Sequence, residues 1–470
     1  MTVIQFATSS YNSRSLPVSA QRVVNCYAEK EPPDAKTPIA VFGAPGLLPF
    51  ATCGTGPVRG FTFMNGVAYV VSGQRLYSVT SAGVATDIGG AIAGTSITPM
   101  ANNGTQVCIV NGTNGFIWSA TGGFQIITSA NFFPANTVTF FDNYFVFDKA
   151  NSNQFFISAS LDGTTYNGAD FASAEVSSDY VLSIVNQQEN LLIFGQKTIE
   201  SWYDSGAVNF PFERTGASTI ERGCSALLTP IKEDNSVFFL GDDLIFYRIN
   251  GINLSRVSTH AVEQAFQSYS TVSDAYTFSY TFEGHKFVNL VFPTANASWV
   301  LDIATGFWHE RESWDLNNNS FGRWRGNCCL TAFGKVLIGD AYSGQIGYLD
   351  ANTFTEFGNT MRALMTSPPI HQDRKRVYIA RFELDVESGV GLSTGQGSDP
   401  QIMMDYSVDG GRNYKNPEIW NSLGKIGADT QRVRWFRLGQ ARQWIIRVMI
   451  SDPVKRVIIA ASADISAGEP

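Results

Sequence analysis

The stretch NASWVLDIATGFWHERESW, residues 296–314, contains two short apolar runs joined by a polar turn. A short apolar run, Trp299–Leu301, meets a polar turn that contains Asp302 and Gly306, and a second aromatic run follows the turn. Glycine adopts the positive φ angles that tight turns between antiparallel strands require. The stretch therefore predicts a β-hairpin.

The same hairpin pattern recurs along the chain, with starts that lie 38 to 50 residues apart. Its seven copies begin at Asn65, Asn103, Asp142, Glu189, Asn235, Gly284 and Gly334. A repeat of about 40–50 residues is typical of β-propeller blades. A four-stranded blade cannot cover its own apolar faces, so blades stack around an axis. The repeat predicts an all-β protein with a β-propeller of six to seven blades over residues 46–360.

Three other segments depart from the repeat. Ser258–Tyr269 predicts a short helix between blades, with Ser258 or Thr259 as the N-cap and Glu263 in the first turns. After Gly358 the strands are longer and alternate apolar with polar positions, which predicts a C-terminal β-sandwich-like domain over residues 361–470. Residues 1–45 are polar and rich in proline, and we expect an irregular N-terminal arm that lies on other elements or on a partner.

The composition limits the classes of function. Charged residues make up 16% and aromatic residues 13% of the chain, which suits large buried surfaces, some of them against other subunits. Residues 361–470 hold 15 Lys and Arg against 12 Asp and Glu, whereas the rest of the chain holds 18 against 29. An acidic body argues against sequence-specific DNA binding. No apolar run is long enough to predict a membrane span, and the N-terminus lacks a signal-peptide pattern, so we expect an uncleaved cytosolic product.

The residue types that bind metals are scattered. None of the six cysteines has the CxxC spacing of a zinc site, and the four histidines are far apart in sequence. We expect reduced, mostly buried thiols, no metal and no cofactor.

Asp302, His309, Glu310 and Arg311 form the most suggestive chemical cluster. Asp302 and His309 could approach each other across the hairpin, but no G-x-S-x-G or comparable nucleophile motif occurs in the sequence. We interpret Asp302 as a turn-stabilising residue and His309–Arg311 as a polar blade edge. The sequence therefore predicts no catalytic residues.

Two segments resemble the Asp-box hairpin of sialidase propellers. Ser407–Tyr414 fits the pattern S-x-D-x-G-x-x-aromatic, and Ser160–Tyr166 is a shorter version of it. Side chains of this motif brace a turn through hydrogen bonds to the backbone, so we interpret both segments as structural.

Basic residues are concentrated in the C-terminal region. The candidates for an interface are Arg374, Lys375, Arg376, Arg432, Arg434 and Arg437. Arg432 and Arg434 would share one face of a strand, where they could contact a nucleic acid backbone or pair with carboxylates of a partner subunit. The weak net charge favours the partner subunit.

Several sequence segments, in their order along the chain, resemble the sequences of one bacteriophage family. They include SAQRVVNCYAEKEPP (19–33), FISASLDGTTYNGADFASAEVSSD (156–179) and FGQKTIESWYDSGAVNFPFERTGASTIERGCSA (194–226). The long run from Val257 to Arg311 belongs to the same set. The resemblance is to the packaged-DNA stabilisation proteins of short-tailed phages, also called tail hub or nozzle proteins, and it spans roughly residues 20–450.

This resemblance implies a structural virion protein without enzymatic activity. It implies a homo-oligomer, a hexamer, beneath the portal and its adaptor ring, which continues the channel for packaged double-stranded DNA and helps retain the genome. The tail needle and the tail fibres or spikes would be neighbours, and assembly would take place in the host cytoplasm. Two alternatives stay open: a sialidase-like, glycan-active propeller enzyme and a host-binding propeller adhesin.

Overall fold

The protein is all-β, as the sequence predicts. The computed structural model describes residues 2–4, 6, 8–177, 179–208, 210–315, 318–372, 375–415 and 419–468. These residues form 46 strands and one helix.

The N-terminal segment consists of short strands that pair with distant parts of the chain. They are β1 (Thr2–Ile4), β2 (Tyr11–Asn12), β3 (Ala20–Gln21), β4 (Val23–Val24), β5 (Cys26–Lys30), β6 (Ile39–Gly43) and β7 (Gly46–Thr52). Among the described residues of the segment, β2 pairs with β3 and β5 pairs with β6. The predicted arm therefore lies on other elements, as a set of strands.

Five four-stranded blades follow, and in each blade strands that are consecutive in sequence are hydrogen-bonded neighbours. Blade 1 contains β8 (Val58–Met64), β9 (Val67–Ser72), β10 (Arg75–Val79) and β11 (Ala85–Gly90). Blade 2 contains β12 (Met100–Asn102), β13 (Gln106–Val110), β14 (Gly115–Ser119) and β15 (Gly123–Ile126). Blade 3 contains β16 (Val138–Phe141), β17 (Tyr144–Asp148), β18 (Gln154–Ile157) and β19 (Phe171–Ser173).

Blade 4 contains β20 (Val181–Gln187), β21 (Asn190–Gly195), β22 (Ile199–Asp204) and β23 (Phe212–Ile220). Blade 5 contains β24 (Ile231–Glu233), β25 (Ser236–Leu240), β26 (Phe246–Asn250) and β27 (Asn253–Arg256). Separate apolar clusters fill the spaces between successive blades, and one of them joins Val146 and Phe155 of blade 3 to Ile184 and Leu191 of blade 4. Each blade therefore buries the faces of its neighbours.

The predicted helix between blades is confirmed as α1 (His260–Ser268). The Thr259 side chain caps its first turn by accepting a hydrogen bond from the Val262 amide. Val262 and Phe266 pack into an aromatic cluster with Trp308, the second tryptophan of the opening hairpin. The helix thus covers the apolar surface between blades 5 and 6.

Blade 6 is the blade that contains the opening hairpin. It contains β28 (Tyr276–Phe282), β29 (His285–Phe292), β30 (Ala297–Asp302) and β31 (Trp308–Glu310), and a small hairpin of β32 (Glu312–Asp315) and β33 (Ser320–Arg323) follows it. β31 also pairs in parallel with β4, with Glu310 opposite Val24. Blade 6 is therefore continuous with an N-terminal strand.

Blade 7 is completed by a strand that precedes blade 1. Its first three strands are β34 (Gly326–Ala332), β35 (Lys335–Asp340) and β36 (Gln345–Asp350). β7 is the fourth, with Leu47 opposite Leu349 and Ala51 opposite Ile346. The Cys53 amide donates to the Gly344 carbonyl, and a Cβ at Gly344 would lie only 2.3 Å from the Cys53 carbonyl oxygen. This pairing closes a ring of seven blades.

The remaining strands build the β-sandwich. They are β37 (Thr355–Glu356), β38 (Asn359–Thr360), β39 (Ala363–Thr366), β40 (Ile370–His371), β41 (Val377–Val386), β42 (Gln401–Ser407), β43 (Ile419–Ser422), β44 (Val433–Ala441), β45 (Gln443–Ile450) and β46 (Val457–Ala467). One sheet has the order β44-β41-β46-β6-β5, with β1 paired to β46, and the other runs from β4 through β39, β45 and β42 to β43. Their shared core includes Phe382, Trp435 and Trp444.

N-terminal strands thus belong to both sandwich sheets. β37 and β38 belong to the sheet of blade 7, whereas β39 belongs to the sandwich. The divisions at residues 45 and 360 stay predictions about domain boundaries.

Candidate functional site

Asp302 stabilises the turn of the opening hairpin, as interpreted from the sequence. Its Oδ1 accepts a hydrogen bond from the Ala304 amide at 3.0 Å, and its Oδ2 accepts one from the Thr305 hydroxyl at 2.7 Å. His285 on the neighbouring strand places Nδ1 2.9 Å from the same Oδ2. The histidine that approaches Asp302 is therefore His285 and not His309. The hairpin sequence does not indicate this contact, because His285 lies on the preceding strand.

The interpretation of His309–Arg311 as a polar blade edge is wrong, because His309 and Arg311 are buried and Glu310 is half-buried. β4 covers the outer side of β31, and only 3% of His309 and none of Arg311 is exposed. Burial, together with the charge of Arg311 and the nearby His285, lowers the pKa of His309 to about 3. His309 is therefore a neutral core residue.

Glu310 belongs to an ion-pair network that joins three parts of the chain. Arg22 contacts Glu310 at 2.5 Å and Glu312 at 2.7 Å, and Arg362 contacts the other oxygen of Glu312 at 2.6 Å. The Arg362 guanidinium also stacks 3.7 Å from the Phe321 ring centroid. The carboxylates of Glu310 and Glu312 thus hold the N-terminal segment and the start of the sandwich together.

Arg311 lies at the centre of a second, fully buried polar cluster. Its guanidinium stacks 4.1 Å from the Trp324 ring centroid, donates to the Pro45 carbonyl, and lies 3.8 Å from Glu356 Oε1. Glu356 also accepts hydrogen bonds from the Ser313 hydroxyl and from Trp324 Nε1. The four residues that resembled a catalytic group therefore have separate structural roles. Asp302 stabilises a turn, His309 lies in the core, and Glu310 and Arg311 belong to two different polar clusters.

The Asp-box segment Ser407–Tyr414 forms the predicted structural turn. Ser407 donates to Asp409, and Asp409 accepts from the amides of Arg412 and Asn413. These hydrogen bonds, that of the Asn413 amide foremost, hold the pKa of Asp409 well below its usual range. The Asp409 carboxylate thus accepts hydrogen bonds from residues of its own turn.

The C-terminal basic residues lie along one strand pair rather than in one patch. Arg374 lies outside the described residues, while Lys375 and Arg376 are exposed just before β41. Val377 pairs with Ala441 and Glu383 with Arg434, so Arg434 lies about 20 Å along the strands from the start of β41. Arg437 lies nearer to that start, at the register shift between Ile379 and Arg381. The structure does not bring all the candidates together.

Arg432, Arg434 and Arg437 differ in what they contact. Arg432 forms a bidentate salt bridge with Glu383, at 2.7 and 2.8 Å. Arg434 and Arg437 have no carboxylate within 4 Å among the described residues, and Arg434 lies against the ring of Phe436. Arg437 has a φ of +58° and lies where the pairing of β44 with β41 shifts register. This bulge directs both Phe436 and Arg437 towards solvent.

Exposed aromatic residues accompany these arginines at an open sheet edge. β44 is an edge strand of one sandwich sheet, β43 is the edge strand of the other, and the two are neighbours. Phe436 is 57% exposed and Trp420 is 60% exposed. We call Trp420, Arg434, Phe436 and Arg437 the edge surface. Its aromatic residues could not be predicted from the sequence, because the alternation of apolar and polar positions does not show that two sheet edges meet.

The described residues were also compared with the requirements of a metal site and of a membrane-spanning helix. No group of three or more His, Cys, Asp or Glu side chains in the described residues is arranged to hold a metal ion. None of the helices in the described residues has the length and apolar content needed to cross a bilayer.

These features define a β-propeller protein with an attached β-sandwich. The model of the bacteriophage P22 Gp10 β-propeller, described as a phage stabilisation family, matches residues 20–354, and that of the P22 Gp10 β-sandwich matches residues 362–466. The chain belongs to this family. It is thus a bacteriophage stabilisation protein and a structural component of the phage tail.

Solved structures of other proteins match part of the chain at low sequence identity. A streptogramin B lyase is 13% identical, with 65% of this chain and 97% of that chain covered and a TM-score of 0.44. The N-terminal domain of Nup159 is 11% identical, with 68% and 97% covered and a TM-score of 0.42. Among curated proteins, no sequence matches the chain.

Proposed function

We propose that this protein is one subunit of a hexameric ring in the phage tail. The ring continues the DNA exit channel below the portal and its adaptor ring, borders the tail needle and the fibres or spikes, and helps to retain packaged DNA. The observation that carries the proposal is the family match over both the propeller and the sandwich.

The charge distribution supports a role as a channel wall. Outside residues 361–470 the chain holds 29 acidic against 18 basic residues. A wall with excess negative charge repels DNA phosphates, so the double helix can slide past it during ejection without being held. Tight DNA binding would instead require a basic footprint.

The edge surface is our candidate for docking to the adaptor ring. Arginine and aromatic residues contribute most of the binding energy in many protein interfaces. Arg434 and Arg437 are available for a partner's carboxylates, because they lack acidic partners within the described part of this subunit. Arg432 is committed to Glu383, so we place it at the rim, and we assign Arg374, Lys375 and Arg376 to a second contact near the start of β41.

Charge reversal tests this docking surface. The double variant Arg434→Glu/Arg437→Glu should fold, because Arg437 is exposed and Arg434 is only half-buried. It should nevertheless fail to join tails in an infected cell complemented with the variant gene. We expect full heads that lack this protein and lose their DNA. The matched control is Arg14→Glu, another exposed arginine, which should give wild-type particle yields.

Particle yield and the tail content of the particles are the readouts. Normal yields of DNA-filled, infectious particles with the double variant would contradict the docking assignment. A double variant that is unfolded by circular dichroism would be replaced by Arg434→Gln/Arg437→Gln, which removes the charges without adding new ones.

A further inference from the structure

A cavity lies at the end of the propeller where the chain enters the innermost strands. It has a volume of about 340 Å³. Segments that lead into five of the seven blades line it, and they contribute Pro57, Ile97, Leu228, Asp274 and Arg323. The convergence of five entry segments places the cavity at the propeller axis.

Arg323 is held in a fixed orientation at this cavity. Its Nη1 donates to the Tyr276 hydroxyl at 2.7 Å and lies 3.3 Å from Asn327 Oδ1, and the Tyr276 hydroxyl itself contacts Asn327 at 2.5 Å. Asn327 is fixed in turn because its Nδ2 donates to the Val58 carbonyl of blade 1 at 2.7 Å. Blades 1, 6 and 7 together position one guanidinium.

The charge of Arg323 has no carboxylate partner within 4 Å among the described residues. All its side-chain hydrogen bonds there go to neutral oxygens and use Nη1 alone. Nε and Nη2 therefore remain for a ligand, and a guanidinium with free donors on two adjacent nitrogens matches a carboxylate in geometry and charge.

The other walls restrict which carboxylate fits. Ile97, Leu227 and Leu228 supply aliphatic surface. Asp274 lines the same cavity, and its Oδ2 already accepts a hydrogen bond from the Thr294 amide. A second negative charge disfavours a simple inorganic anion and favours a ligand that carries N–H donors beside its carboxylate.

The geometry points to a binding pocket for the carboxy terminus of a peptide segment whose last residue is aliphatic. The terminal carboxylate binds Arg323, the aliphatic side chain packs against Leu227 and Leu228, and backbone N–H groups face Asp274. The pocket is separate from the edge surface, and this assignment does not rest on the ring arrangement.

Calorimetric titration of the purified full-length protein tests this assignment. The probe is the tripeptide N-acetyl-Ala-Ala-Val with a free carboxylate, and the same peptide with an amidated C-terminus is its matched control. We expect saturable binding of the free acid that weakens at least tenfold on amidation. Arg323→Gln should also weaken it at least tenfold, whereas Arg14→Gln, a substitution at a distant exposed arginine, should leave it unchanged.

Two further measurements separate the pocket from general charge effects. Tyr276→Phe removes the hydroxyl that positions Arg323 and should weaken binding severalfold without removing any charge from the pocket. Acetate should displace the peptide only at far higher concentration. Absence of binding, equal binding of the acid and the amide, or full displacement by equimolar acetate would each overturn the assignment.

Discussion

The buried pair Arg311–Glu356 tests how blades 6 and 7 are held to the N-terminal segment. Glu356→Gln removes the negative charge but keeps the shape of the side chain and an oxygen for Trp324 Nε1. At the observed separation of 3.8 Å, and with an effective dielectric constant of about 20, the lost attraction is about 4 kcal/mol. Burial raises the pKa of Glu356, so the glutamine relieves a desolvation cost of the carboxylate. The expected loss of stability comes from Arg311, because its buried guanidinium loses the carboxylate beside it. We expect the free energy of unfolding to fall by about 2–3 kcal/mol.

The assay is urea unfolding followed by tryptophan fluorescence, since Trp324 lies inside this cluster. The matched control is Glu387→Gln, which removes one partner of an exposed ion pair with Lys455 and should cost less than about 0.5 kcal/mol. The double variant Arg311→Met/Glu356→Gln should regain much of the lost stability, because no unpaired buried charge is left. Equal stability of Glu356→Gln and Glu387→Gln would show that the buried pair contributes no more to stability than an exposed one.

Three more predictions concern stability. Burial lowers the pKa of His309 to about 3 in the folded protein, so its contribution to stability is complete above pH 6.5 and is lost as the pH falls towards 3. The free energy of unfolding should therefore fall by about 2 kcal/mol between pH 7 and pH 5. Unfolding curves of His309→Gln should lack that loss. Arg59 donates hydrogen bonds to four backbone carbonyls around the connection from blade 1 to blade 2. Lysine cannot reproduce this forked set of donors, so Arg59→Lys should lower the free energy of unfolding by about 3 kcal/mol. An unchanged urea midpoint would contradict this stabilising role of Arg59. Gly344→Ala should force apart the strand pairing that closes the ring and lower the free energy of unfolding by at least about 2 kcal/mol in the same urea titration. An unchanged free energy of unfolding would show that the closure tolerates a side chain.

The repeat of hairpins was sufficient to predict the propeller, because each hairpin is a local structure with its own turn signal. The helix between blades 5 and 6 was equally local, with Thr259 and Glu263 in the expected positions. The closure of blade 7 could not be predicted in this way. β7 pairs with a strand about 300 residues away, and its sequence carries no mark that distinguishes a closing strand from an arm.

The same distinction explains the outcome for the candidate site. Asp302 was correctly interpreted as a turn residue, because its partners Ala304 and Thr305 are its neighbours in sequence. The burial of His309 depends on β4, which comes from the other end of the chain. The polar sequence around His309 therefore indicated an exposed blade edge, although β4 covers it. The pairing of Arg432 with Glu383 likewise depends on strand register between distant segments.

Cryo-electron microscopy of intact virions would locate this chain in the particle. We expect density for this chain as a ring on the tail axis below the portal, with propeller bodies around the DNA path and sandwich domains against the neighbouring ring. Absence of the chain from purified particles, or a position away from the tail axis, would contradict the account.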